Sequence, residues 1–365
     1  MGKLVIKRLH LPIHQKQSVG EKPLLPTGFQ KSQTTEMDIP PKIVFNVTTL
    51  GASHIKDSRP CQDYSISWED DSSGSAAIIV CDGHGSETCV RSDVGARLAA
   101  EISLNCIKQF ISCSPEWILN KKGAVTAREQ DADIRFETKA AKPVNDMTEI
   151  EAQRFRQRLT FIDQIKDLHD QDAIFEALFS SIHDKWIEAI ELDSKEKPFS
   201  QEELSRLADN KLVKAYGTTL MAYIQTPLYW FAFHIGDGRI LECDRHMSWK
   251  QAVPWDCTCF LNNTTSLCNS QPVSSFRYAF DATGNFPAAV FCCSDGLEDS
   301  WGDYDLAPEK LHDYCANLLR VFLEEGKEPI VEKLTAFLTL LSEKGSKDDM
   351  SLAGIINVNA AADEI

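Results

Sequence analysis

Three acidic clusters in the sequence sit against runs of apolar residues. Ala76-Ala77-Ile78-Ile79-Val80-Cys81 leads into Asp82-Gly83-His84-Gly85, the run 288–294 leads into Asp295-Gly296, and Lys347-Asp348-Asp349 precedes Met350-Ser351-Leu352. A carboxylate at the end of a rigid strand is held in place yet reaches solvent at the edge of a sheet. A glycine directly after Asp82 and after Asp295 lets a ligand approach the backbone carbonyl closely. Oxygen-only donors of this kind suit hard divalent cations, Mg²⁺ or Mn²⁺, rather than zinc. Taken alone, Asp82-Gly83 is more simply a solvated turn, since Asp-Gly is a common turn dipeptide. The recurrence of the pattern is what points to a site.

The elements that must carry these clusters can be read from periodicity. Strands are expected at 43–49, 64–69, 76–81, 218–225, 228–235, 240–243, 277–280, 288–294 and 350–358. Val90, Val94, Leu98 and Ile102 recur every four residues and predict a helix over 87–111. Ile174, Leu178, Ile182 and Trp186 mark a second amphipathic stripe, and two more helices are expected at 308–324 and 329–341. Strands come in runs and helices in runs, without regular alternation, which favours α+β with antiparallel sheets over a doubly wound parallel sheet. Residues 1–42 lack periodicity and read as an N-terminal arm or linker. Residues 43–365 read as one domain, interrupted around 115–214 by an insertion of different texture, with a charged stretch at 120–146 and helical material resuming near 148. That insertion either sets specificity or is a tolerated surface loop.

The chain has 365 residues, enough for a sizeable core, and a formal net charge of −16. Such an acidic balance argues against nucleic acid as a partner, because phosphate contacts need clustered Lys and Arg. It does not exclude a phosphorylated substrate if metal ions supply the positive charge. No stretch reaches the roughly 20 apolar residues that span a bilayer, and the basic N-terminus has no apolar core of a secretion signal. Several of the 12 Cys, among them Cys81, Cys106, Cys292 and Cys293, lie in apolar runs as buried thiols do. The expectation is a reduced, cytoplasmic protein. Cys257-Thr258-Cys259 with Cys268 lacks a fourth ligand at zinc-finger spacing, so chance is the better reading. The aromatic run Tyr229-Trp230-Phe231, with Phe233, reads as sheet core.

The ordered blocks resemble the metal-dependent Ser/Thr protein phosphatases of type 2C. Gly51-Ala52-Ser53-His54 with Pro60-Cys61-Gln62-Asp63 is similar to the first acidic block of that family, and Asp82-Gly83-His84-Gly85 to its most specific signature. Tyr216-Gly217-Thr218-Thr219 and Ile235-Gly236-Asp237-Gly238-Arg239 resemble the blocks of its central hairpin. Ser294-Asp295-Gly296-Leu297 and Gly345-Ser346-Lys347-Asp348-Asp349-Met350-Ser351 resemble its last two. The resemblance implies an αββα sandwich, two packed antiparallel β-sheets flanked by helices, with two Mn²⁺ or Mg²⁺ ions at one end. It implies Asp82 as the bridging ligand, Asp295 and Asp348 on one ion, and the Gly83 carbonyl on the other. Asp63 would act through bound water, and His84 would donate a proton to the departing Ser or Thr oxygen, for which an ordinary pKa near 6.5 is suitable. Two divalent ions activate water at neutral pH and orient a phosphate for in-line attack. The implied partners are a phosphorylated protein and the Ser/Thr kinase pathway that supplies it, in a signalling role.

Departures from the family pattern leave a second reading open, a catalytically weak relative that regulates by binding phosphoprotein or metal. Gln62 stands where the family commonly has Glu, which removes a charge but leaves a carbonyl oxygen able to orient a water. Asp349 stands where Asn is usual and either hydrogen-bonds locally or alters metal affinity. Arg59 is the nearest candidate for a phosphate-binding arginine. Asp209 is a candidate for a third metal site, and Asp237 reads as holding its turn.

Overall fold

The computed structural model describes residues 41–113, 125–128, 171–207, 212–256, 258–259, 264–302, 304 and 306–362, all within the compact unit that runs from Ile39 to Ile365. Of the arm expected at 1–42, residues 1–40 lie outside the described residues and Lys42 already opens a strand; of the charged loop expected at 120–146, residues 125–128 form a strand and the rest lie outside, as do the helical material near 148–170 and Asp209.

Eleven strands form two sheets among the described residues. The first is five-stranded: β1 (Lys42–Thr49) lies beside β11 (Met350–Asn357), followed by β10 (Ala289–Cys293), β7 (Arg239–Cys243) and β8 (Trp249–Gln251). The second is six-stranded, in the order β2 (Tyr64–Asp70), β3 (Ser75–Cys81), β5 (Leu220–Gln225), β6 (Trp230–Ile235), β9 (Arg277–Asp281) and β4 (Val125–Arg128). Every ladder is antiparallel, as the clustering of strands in the sequence predicts.

The unbroken apolar runs have a structural cause. In β3, Ala76, Ile78 and Val80 pack between the sheets, while Ala77, Ile79 and Cys81 face the helices on the outside. A strand covered on both faces has no polar alternation. The helices that cover the six-stranded sheet are α2 (Ser92–Cys113) and α3 (Gln171–Glu196). Phe175 of α3 stacks on Phe231 of β6 with ring centroids 4.2 Å apart, a contact worth about 0.5–1.5 kcal/mol beyond area burial. Phe231 and Phe233 thus belong to the core, and Trp230 to the layer between the sheets. On the other side α8 (Pro308–Glu325) and α9 (Lys327–Lys344) bury Leu319, Phe322, Leu334 and Leu338 against Phe45, Phe291 and Leu352.

Five short helices have no sequence periodicity to announce them: α1 (Ala52–Asp57), α4 (Gln201–Arg206), α5 (Leu212–Ala215), α6 (Pro272–Ser275) and α7 (Asp295–Asp299); α10 (Val358–Ala362) closes the described chain. The expected helix over 87–111 begins only at Ser92, because the preceding backbone is used elsewhere: Arg91 N donates to Ala215 O at 2.8 Å.

Candidate active site

Strand polarity gathers the acidic clusters at one end of the sandwich. β3 ends at Cys81, just before Asp82, and β10 ends at Cys293, just before Asp295. β11 runs antiparallel to β10 with Cys293 opposite Leu352, so Asp348 and Asp349, ahead of Met350, arrive beside Asp295. The turn between β6 and β7 places Asp237 there as well. Together they line a cavity of about 260 Å³ whose walls include Asp63, Asp82, Gly83, His84, Asp237, Asp295, Asp299, Asp348 and Asp349, and also His54, Gln62 and Thr264.

The Asp82 loop is pinned by its backbone. Asp82 N donates to Thr219 Oγ1 at 3.1 Å, and its carbonyl accepts from Thr219 N at 2.8 Å and Thr218 Oγ1 at 2.9 Å. His84 N donates to Gly217 O at 3.0 Å. Gly83 is required by contact: a Cβ there would lie 2.6 Å from Gln62 O and 2.7 Å from Ser92 O, both backbone atoms. Gly296 is similar, since its Cβ would fall 2.1 Å from Asp349 O. The two glycines after the acidic residues therefore let neighbouring loops cross closely, a reason additional to carbonyl access.

Asp63, 6% exposed, accepts a hydrogen bond from Ser294 Oγ at 2.7 Å, and that hydroxyl in turn accepts from Ser351 N at 3.0 Å. Burial pushes its carboxyl well above the usual range, and the Asp349, Asp295 and Asp348 charges push the same way. Asp82 is raised by burial and by Asp295 and Asp63, and Asp295 by burial and by Asp237 and Asp348; the Asp82 and Asp295 carboxyls share a hydrogen bond. Burial also raises Asp237, which accepts a hydrogen bond from the Thr264 side chain. Burial, with Lys214 nearby, pushes His84 down to about 4.

Asp349 hydrogen-bonds locally. Its Oδ1 accepts from Gly51 N and its Oδ2 from Gln62 N, each at 2.6 Å, and His54 Nδ1 lies 2.9 Å from Oδ2. His54 Nε2 is 3.8 Å from Asp348 Oδ1, which also accepts from Asp349 N at 2.8 Å. These three side chains are close enough to chelate a cation, but both Asp349 oxygens already take backbone N–H groups. They form a clasp that fixes the Asp348 loop against α1. His54, buried at 3% exposure, was not legible as part of the site beyond its place in the first block.

Gln62 Nε2 donates to His84 O at 3.1 Å and to Ser92 Oγ, which leaves Oε1 buried at the cavity without a hydrogen-bond partner among the described residues. Arg59 is not among the residues lining the cavity; its guanidinium is 3.7 Å from Asp57 and 40% exposed. Asp237 does more than hold its turn, because it faces Asp295 and Asp299 across the cavity. Asp299 lies four residues after Asp295 on α7, the spacing that puts two side chains on one helical face. Of the suspected cysteine cluster, Cys257 lies outside the described residues, Cys259 Sγ donates to Gly236 O at 3.4 Å, and Cys268 joins no metal-ligating group among the described residues.

The residues present fit divalent cations. Seven aspartates line the cavity with no Lys or Arg among them. Carboxylates so placed repel one another and hold protons they would otherwise lose. With the unpartnered Gln62 Oε1, they form an all-oxygen donor set of the kind Mg²⁺ and Mn²⁺ take.

The family described as Protein phosphatase 2C matches residues 50–339, and the chain belongs to that family, the metal-dependent protein-serine/threonine phosphatases. Among solved structures, the chain is similar to the serine/threonine phosphatase Stp1 from Staphylococcus aureus (12% identity over 89% of this chain and 99% of that one, TM-score 0.44). It is also similar to PppA of Pseudomonas aeruginosa (13%, 86% and 97%, TM-score 0.44). A third is the catalytic domain of the phosphatase PstP in complex with two manganese ions (14%, 86% and 97%, TM-score 0.43). No curated protein matches the sequence. No helix among the described residues is long and apolar enough to cross a membrane.

Proposed function

We propose that the chain removes phosphate from phosphoserine and phosphothreonine in proteins at a centre of two divalent cations, Mn²⁺ or Mg²⁺. The observation that carries this reading is the cavity with seven aspartates and no basic side chain but histidine. Asp82, Asp295, Asp348 and the Gly83 carbonyl would hold the ions, with Asp237 and Asp299 placed to add oxygen donors. When bound, such a pair supplies an activated water at neutral pH and neutralises phosphate charge.

The chain's own groups do the rest. Asp63, fixed by Ser294, orients water from the buried side of the cavity. Gln62 Oε1, without a hydrogen-bond partner among the described residues, supports the role of an amide in place of the usual carboxylate. His84 donates a proton to the departing Ser or Thr oxygen. Burial beside Lys214 disfavours its imidazolium, and the negative charge of a phosphate next to the ring favours it. The substrate is a phosphoprotein supplied by a Ser/Thr kinase. The ten free cysteines among the described residues support a reducing compartment such as the cytoplasm. The insertion around 115–214, although α3 within it packs into the core, is where protein-substrate choice is set, and the arm at 1–42 precedes the catalytic domain.

The test is hydrolysis of a small aryl phosphate by the purified protein with and without Mn²⁺, beside His84→Gln and Asp295→Asn. Manganese-dependent turnover, abolished in the Asp295 variant and reduced by about two orders of magnitude in the His84 variant, is the expected result. A folded, metal-binding protein without turnover would instead establish the regulator reading.

A further inference from the structure

The backbone at Gly217 is covered by three side chains from distant parts of the sequence. A Cβ on Gly217 would lie 2.7 Å from His84 Cδ2, 3.1 Å from Cys268 Sγ and 3.3 Å from Cys89 Sγ. Two thiols and an imidazole that lines the aspartate cavity therefore meet over one spot. Cys89 lies in the stretch before α2 and Cys268 in the stretch before α6, both outside helix and strand. Both thiols are free. Each sulfur accepts from a serine hydroxyl, Cys89 from Ser86 Oγ at 3.1 Å and Cys268 from Ser266 Oγ at 3.3 Å.

The other described cysteines have different surroundings. They are sealed in the apolar layers, apart from Cys61 and Cys259, whose sulfurs donate to backbone carbonyls. Cys268 is only half-buried, whereas Cys89 is 3% exposed. One sulfur of the pair is thus open to a small oxidant, and the second waits beside it. Burial raises the Cys268 thiol, the Cys89 charge acts in the same sense, and Lys214 opposes both. Such a thiol rests in the reduced form and reacts slowly.

The turn that carries Cys268 is tied to the catalytic end. Leu267 N and Ser266 Oγ donate to Thr218 O at 3.0 and 2.9 Å, and Thr218 Oγ1 donates to Asp82 O at 2.9 Å. On the other side of Gly217, its carbonyl accepts from His84 N at 3.0 Å. Drawing the two sulfurs together over Gly217 displaces the His84 ring and loads the Thr218 bond that holds the Asp82 loop.

We propose that Cys89 and Cys268 are a thiol pair that peroxide converts into a reversible disulfide, and that this bond switches the active site off. In the first step the Cys268 sulfur attacks hydrogen peroxide. An S–O bond forms, the O–O bond breaks, and water leaves with the thiol proton, giving a sulfenic acid. In the second, the Cys89 sulfur attacks Cys268 Sγ. The S–S bond forms, the S–O bond breaks, and hydroxide leaves as a second water with the Cys89 proton. Two thiols lose two electrons, and one peroxide becomes two waters. A dithiol reductant reverses the change by exchange. The loss of activity rests on the phosphatase reading; the disulfide does not.

The test treats the full-length reduced protein with millimolar hydrogen peroxide and maps disulfides by tandem mass spectrometry of a non-reducing digest. Manganese-dependent hydrolysis of an aryl phosphate and the His84 imidazole NMR signal are followed alongside. The expected result is a Cys89–Cys268 cross-link, turnover lower by about tenfold or more, a shifted His84 signal, and recovery of both with dithiothreitol. Cys268→Ser and Cys89→Ser should form no cross-link, and peroxide-treated Cys268→Ser should keep turnover within about threefold of the reduced wild type. Absence of the cross-link in oxidised wild type would overturn the proposal. So would a cross-link that leaves turnover unchanged, or an equal loss of turnover in folded Cys268→Ser. If the reduced wild type shows no turnover, the phosphatase reading fails by itself. The cross-link and the His84 signal then decide: both must change together, and an unmoved His84 signal would overturn the switch.

Discussion

Arg239 and Glu298 join the hairpin that carries Asp237 to the helix that carries Asp295. Arg239 Nε and Nη2 donate to the two Glu298 oxygens at 2.7 and 2.8 Å, and the residues are 4% and 8% exposed. The guanidinium lies between the rings of Trp255, 3.5 Å from its centroid, and Tyr304, at 4.3 Å. Glu298→Ala would take the bidentate carboxylate away from a buried cation, and breaking a buried pair typically costs about 3–5 kcal/mol. At about 2 °C per kcal/mol for a large domain, thermal unfolding should fall by roughly 6–10 °C. Because Asp295 opens the same short helix, α7, Mn²⁺ affinity should also weaken below the transition. The double variant Arg239→Met/Glu298→Leu replaces the pair with hydrocarbon of similar size and should regain at least half of the lost stability. The assay is differential scanning calorimetry of wild type, Arg239→Met, Glu298→Leu and the double variant, with Glu298→Ala beside them, and Mn²⁺ titration at 20 °C, about the temperature of greatest stability. A single-variant loss under about 1 kcal/mol, or strictly additive effects, would refute the clamp.

Three further outcomes follow from named contacts. Gly296→Ala forces its new Cβ onto Asp349 O, 2.1 Å away, and should cost about 2–3 kcal/mol by urea unfolding; a loss within experimental error would contradict the close crossing. Arg59→Ala should leave aryl phosphate turnover within about threefold of wild type, because the side chain pairs with Asp57 away from the cavity; a large rise in KM would restore it as a phosphate ligand. The hydrogen bond from Arg91 Nε at 2.9 Å holds the Glu203 carboxyl down to about 2 from its ordinary 4.5. Its folded pKa is depressed, so the stabilisation is present above the unfolded value and is lost as pH falls from about 4.5 towards 2. Solvent around the partly exposed pair keeps that effect modest. Glu203→Gln should reduce the difference in unfolding free energy between about pH 5 and pH 3, and an unchanged difference would count against the pair.

Much of the catalytic end was legible because strand and site coincide. Asp82, Asp295 and Asp348 end or precede strands buried on both faces, so the apolar runs located them and the antiparallel order brought them together. What escaped the sequence lay in loops and short helices, which lack periodicity. Asp237 looked like a turn residue since a Gly-Asp-Gly turn needs no further explanation; its place in the cavity depends on which way the β6–β7 hairpin faces. Asp299 could have been found from its spacing to Asp295 had the five-residue helix been apparent. Arg59 was proposed from its position in a block, but α1 ends just before it and turns its guanidinium towards Asp57.

The central claim is that the aspartates hold two divalent cations that serve phosphate hydrolysis. Manganese bound per chain, counted by equilibrium dialysis alongside phosphate release from a phosphothreonine peptide, tests it most directly. The account expects about two ions per chain, with Asp82→Asn losing both the ions and the release together. Two ions still bound by Asp82→Asn, or phosphate release at full rate after chelation of all metal, would contradict it.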